Sequence, residues 1–211
     1  MIPNKIKAMN IIKTIKHKMA DPLSSFKIFE RFIAVFCNLI PLILWLTDGK
    51  IAHAFRPSIS NYVYMEHSYV FGLLLCMAAM LFIFNGAVYY KSEQHMHISW
   101  HGQWYNVVLG VSLLGVICFP HLQYPIPHFI FAGIFFFGNA IVTGIFYKDK
   151  DKKKSIFLAI LIVAALPLAF AHIISLLVAE WISLFVIGVH FVLSTIDMDQ
   201  PVNINEHKQL K

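Results

Sequence analysis

Between Phe32 and Thr195 the chain is a succession of apolar blocks separated by short polar segments. A helix needs about 20 mostly apolar residues to cross the hydrocarbon core of a bilayer. The blocks Phe32–Thr47, Tyr69–Tyr90, Trp104–Phe119, Phe129–Tyr147, Ile156–His172 and Leu176–Thr195 meet or approach that length. Lipid offers no hydrogen-bond partner to a bare peptide group, so a spanning segment is either a helix or a strand of a closed barrel. Barrel strands alternate polar and apolar residues, and these blocks do not. The sequence therefore predicts an all-α polytopic transmembrane bundle with six spans. Its apolar residues amount to 58% and its charged residues to 13%, against roughly 25% charged in soluble proteins.

The C-terminal pair of blocks needs separate treatment. Residues 156–196 are almost continuously apolar. As one helix they would extend roughly 60 Å, about twice the core thickness. A reversal is expected within His172–Ser175, although no Gly or Pro marks it. The alternative is one long tilted span followed by a helix lying in the interface.

Basic residues set the orientation. Seven of the 17 Lys and Arg residues lie in the first 31 residues, and five more occupy the loop Lys148–Lys154. Six spans place these on one side together with Lys91, Lys208 and Lys211, leaving only Lys50 and Arg56 opposite. The bias towards positive loops inside puts both termini in the cytoplasm. The expected organisation is a basic cytoplasmic segment over 1–31, a six-helix transmembrane domain over 32–196 and a cytoplasmic tail over 197–211. Such a basic face attracts anionic lipid headgroups. Nucleic acid is not an expected partner, because no aromatic residues are interleaved with these lysines for base stacking. The small-residue stretch Ala52-His-Ala54 resembles a signal cleavage site, but the leader before it is too long for an ordinary signal peptide. Cys37, Cys76 and Cys118 all fall inside apolar blocks with no metal or redox spacing, and no cofactor is expected.

Ionisable residues at membrane depth are costly, which makes them the first candidates for function. On the six-span topology Asp48, His53, Arg56, Glu66, His67, His121, His128, His172 and Glu180 gather at the outer face. The candidate ligand-binding set is Arg56, Ser58, Ser60, Glu66, His121, His128, His172 and Glu180. Glu180 is expected to accept hydrogen bonds from Arg56, His172 or Ser60 and so to hold the outer loops together. Ten residues further on, His190 lies ~15 Å along the axis and about 80° around it, too far to touch Glu180. His190 reads as an interhelical hydrogen-bonding residue, with a proton relay as the alternative. Three imidazoles can hold zinc, with Glu180 or Glu66 as base. No helical His pair is present and three prolines break the His121–His128 stretch, so no metal is expected. A second histidine group, His95, His97 and His101, sits in an inner aromatic-rich loop. Ser58 and Ser60 lack a nucleophile-elbow context, and lining the outer end of the bundle is their expected role.

Three short stretches carry a family resemblance. Pro57-Ser-Ile-Ser-Asn-Tyr62 leading into Phe71-Gly72-Leu73, His128 with the Phe-rich run to Phe137, and Glu180-Trp-Ile-Ser-Leu-Phe-Val-Ile-Gly188 resemble a bacterial membrane-protein family of unknown function. The six-span outline is more distantly similar to the Frag/DRAM/Sfk membrane proteins. His190 stands where an aromatic is expected. The resemblance implies a helical membrane fold and a bacterial inner-membrane location, and it implies no activity. The leading expectation is a lipid or small molecule bound in an outward-facing polar pocket. A metal-dependent lipid hydrolase and a membrane interaction or accessory subunit are the alternatives.

Overall fold

The computed structural model is a bundle of helices and describes residues 22–48, 55–90, 103–146 and 152–197. The helices are α1 (Pro22–Cys37), α2 (Ile40–Thr47), α3 (Ser68–Val88), α4 (Tyr105–Cys118), α5 (Pro125–Ile141), α6 (Lys152–Phe170) and α7 (Leu176–Asp197), with no strand among the described residues. A 3-10 turn at Ile59–Tyr64 precedes α3, and α5 ends in a π turn at Val142–Phe146.

Among the described residues four helices are long and apolar enough to cross a membrane: α3, α5 with its π turn, α6 and α7. A fifth crossing arises if α1 and α2, bent by 49° at their junction, form one broken span. The bend follows from local chemistry. Pro41 stands at the start of α2 and has no N–H to donate one turn back. Asn38 and Leu39 meanwhile close tighter bonds to the carbonyls of Val35 and Phe36. A shorter apolar helix, α4, has 14 residues. At 1.5 Å per residue it covers about 21 Å, short of the roughly 30 Å core.

Close backbone approach seats the short helix. A side chain at Gly110 of α4 would meet the Ala79 carbonyl and Ile83 of α3 at 2.6 Å. Only glycine permits that contact, the usual small-residue solution for helices that pack in lipid. The core lies along the bundle axis, where Phe82 meets Phe135 and Phe191 edge to face at 5.6 and 5.5 Å. Large apolar side chains also point outward, among them Phe32, Leu73, Phe129 and Phe157. Together with the spanning helices, an apolar exterior of this kind identifies a membrane protein.

One expectation shifts and another holds. The first helix begins at Pro22, ahead of the anticipated Phe32, because Glu30 and Arg31 find partners inside the bundle. The reversal at His172–Ser175 occurs as expected, and its device is now visible. His172 adopts φ 58°, its N–H donates to Ala169, and the Ile173 N–H donates to Leu168. This is a Schellman cap with histidine in the left-handed position that glycine usually takes. The inner histidines His95, His97 and His101 lie outside the described residues, as do most of the basic residues used for orientation.

Candidate functional site

Glu180 sits one turn into α7 and aims across the bundle axis. Its Oε2 accepts the Ile59 backbone N–H at 2.5 Å, and the Leu177 N–H donates to the Pro57 carbonyl at 2.9 Å. The 3-10 turn is thus tied to the start of α7 through backbone groups. The expected neighbourhood of Glu180 and the Arg56–Tyr62 segment is present, but the partner is Ile59 rather than Arg56, His172 or Ser60. Its other oxygen, Oε1, has no hydrogen-bond or ion-pair partner among the described residues.

Arg56 is engaged elsewhere. Its side-on fork binds the Asp48 carboxylate, Nε donating to Oδ2 at 2.8 Å and NH2 to Oδ1 at 2.7 Å, while NH1 donates to the Asn61 carbonyl at 3.4 Å. The fork-on-carboxylate geometry raises the guanidinium above its ordinary value, chiefly through the hydrogen bonds to Asp48. Arg56 also lies over the Tyr62 ring at 5.7 Å. The phenol of buried Tyr62 is likewise pushed up, mainly by loss of water around it.

The serines form a relay. Ser58 caps the 3-10 turn, its Oγ accepting from the Asn61 backbone N–H at 3.2 Å and from Asn61 Nδ2 at 2.7 Å. Both Ser58 lone pairs are then occupied. Its own proton therefore belongs to the 3.0 Å contact with Ser60 Oγ. Ser60 keeps one proton and one lone pair for whatever it faces. His128, opening α5, contacts the Phe119 carbonyl through Nδ1 at 2.8 Å. A carbonyl only accepts, so Nδ1 carries the hydrogen and Nε2 of the neutral ring is an acceptor.

Glu180, Ser60 and His128 line one cavity of about 80 Å3 on the bundle axis. Its remaining wall is almost wholly apolar and includes Cys37, Ile40 and Gly188 beside the α1–α2 bend. Space for one water takes about 10–15 Å3 on this measure, so the chamber admits a small chain or several waters. Phe82, Ile187 and Phe191 form its floor and also the roof of a second cavity of about 20 Å3, where His190, Asn106 and Ser194 face inward.

The other predicted residues stand apart from this chamber. Glu66 is exposed ahead of α3 and makes no hydrogen bond among the described residues. His172 is exposed and serves as the α6 cap. His121 packs its ring 5.5 Å from His128 and 5.4 Å from Tyr64, and its Nδ1 is buried without a partner among the described residues. Desolvation, then the repulsion His128 exerts when protonated, lowers its pKa. Among the described residues no three His, Cys, Asp or Glu side chains come together as a metal-ligand set.

The sequence reading missed one polar centre, Glu30. This residue, counted with the basic leader, is completely buried. Asn85 Nδ2 donates to its Oε1 at 3.0 Å and the Tyr89 hydroxyl to its Oε2 at 3.2 Å. Asn106 Nδ2 continues the chain to Asn85 Oδ1 at 2.6 Å. Beside it, Arg31 donates to the side chain and carbonyl of Thr195 at 3.0 and 2.6 Å. The signal available in the sequence was the pair Asn85 and Asn106, amides within apolar blocks that need partners at depth.

The chain belongs to a family of unknown function, DUF7103, whose model matches residues 39–195. No curated protein and no solved structure matches it.

Proposed function

We propose that this membrane protein, from a family with no assigned activity, binds a lipid or other small amphiphile in the Glu180 chamber. The observation that carries the reading is a carboxylate oxygen without a protein partner beside an apolar cavity. An unanswered polar atom in such a place is expensive. A ligand with an apolar body and a polar head removes that cost. At Glu30, by contrast, both carboxylate oxygens are answered by neighbouring side chains.

The topology that goes with this reading has six spans, both termini in the cytoplasm and the chamber at the outer end, in a bacterial inner membrane. It is supported by the succession of apolar helices and by the basic residues clustered in the leader and the Lys148–Lys154 loop. That basic face suits anionic headgroups. The likeness to Frag/DRAM/Sfk proteins rests on the helix outline alone. The hydrolase alternative finds no assembled ligand set among the described residues.

Mass spectrometry of small molecules that co-purify with the protein tests the binding reading. A species enriched with the wild type and lost in Glu180→Gln is expected. Identical profiles from both proteins would refute it. Labelling of Lys152→Cys only from outside the cell would reverse the topology.

A further inference from the structure

Resting on that reading, we infer that the ligand's head is a protonated primary amine, so that the chamber recognises an alkylammonium group on an apolar tail. The assignment comes from the atoms the protein leaves unused. Glu180 Oε1 and His128 Nε2 are acceptors without donors, and Ser60 retains a lone pair after receiving the Ser58 proton. All three residues line the same cavity. An ammonium offers three donors and no acceptor, whereas a hydroxyl offers one donor and a carboxylate none.

Charge points the same way. Glu180 has no ion-pair partner among the described residues. Arg56, the cation on the neighbouring segment, has both nitrogens of its fork committed to Asp48. An ionised carboxylate inside a membrane protein ordinarily faces a cation, and the protein withholds one here. The apolar remainder of the chamber, ending at Phe82 and Phe191, takes the tail.

Cys37 lines the same cavity and provides a reporter. In full-length protein carrying Cys76→Ser and Cys118→Ser, reconstituted in nanodiscs, alkylation of Cys37 by N-ethylmaleimide is followed by mass spectrometry. The melting temperature is read in parallel. Octylamine, octanol, octanoate and octane are added as probes. Octylamine is expected to slow alkylation and raise the melting temperature more than the others. Glu180→Gln should weaken the octylamine effect by about tenfold or more, the worth of a hydrogen bond to a charged group. Octanoate acting as strongly as octylamine overturns the amine assignment, as does an octylamine effect unchanged in Glu180→Gln. Equal action by all four probes leaves a purely apolar chamber and also overturns it, while ligand binding stands. No effect of any probe on either readout refutes the binding reading itself.

Discussion

Glu30 and Glu180 lie at opposite ends of one bundle, and the protein treats their carboxylates differently. At Glu30 each oxygen receives a side-chain donor, and one of those donors, Asn85, in turn accepts from Asn106. These bonds join α1, α3 and α4 at the point where the chain enters the bundle. At Glu180 a single backbone N–H answers one oxygen and the other opens to a cavity. The first is a closed network in which every member depends on the rest. The second is a half-finished one. The contrast teaches that burial of an acidic group in a membrane protein does not by itself mark function. What distinguishes the two is the unanswered valence, which a closed network lacks.

Removing the closed centre should do the most damage. Glu30→Ala strands the Asn85 and Tyr89 donors at a fully buried position. Loss of one partner from a buried charged contact costs about 3–5 kcal/mol, and equilibrium unfolding in mixed micelles should register a fall of that order. Glu180→Ala should cost less, about 1–3 kcal/mol, since it orphans only the Ile59 N–H. Glu180→Gln keeps an acceptor for Ile59 and should be milder still. A larger loss at Glu180 than at Glu30 would invert the comparison and make Glu180 the structural residue.

Packing offers a control outside both centres. Gly110→Leu drives a side chain into the Ala79 carbonyl and should destabilise by about 1–3 kcal/mol through overpacking, with chamber binding retained. Loss of binding on that substitution would show that the short α4 helix sets the chamber's shape.

Smaller effects sharpen the outer end. Arg56→Lys loses the two-pronged contact with partly accessible Asp48 and should cost at most about 1 kcal/mol. Binding should persist, because Arg56 does not line the chamber. The least effect concerns pH. His121 has a folded pKa below its usual 6.5, so the unfolded chain binds its proton more readily. Stability is therefore intact above that value and declines as pH falls through and below it. His121→Gln should flatten this part of the melting-temperature profile between neutral and mildly acid pH. An unchanged slope would assign the acid sensitivity to another group.

Helical class, membrane residence and the His172–Ser175 reversal were legible in the sequence, because they follow from the length and continuity of apolar blocks. Lipid forbids unpaired backbone, so such blocks can only be helices. Proximity of Glu180 to the Arg56–Tyr62 segment was legible too, since short connections confine both to one end. The identity of its partner was not. Ile59 contributes a backbone N–H, which every residue but proline possesses, so side-chain chemistry gave no sign of it. The start of α1 was misplaced for a related reason. Hydropathy reads Lys27, Glu30 and Arg31 as charges to be kept in water, yet at 0% exposure Glu30 is hydrogen-bonded by donors 55 and 59 positions away. Which carboxylate is closed and which is open depends on donors brought from distant helices. Only the packed bundle decides that, whereas the apolar periods that force the bundle to form are written locally along the chain.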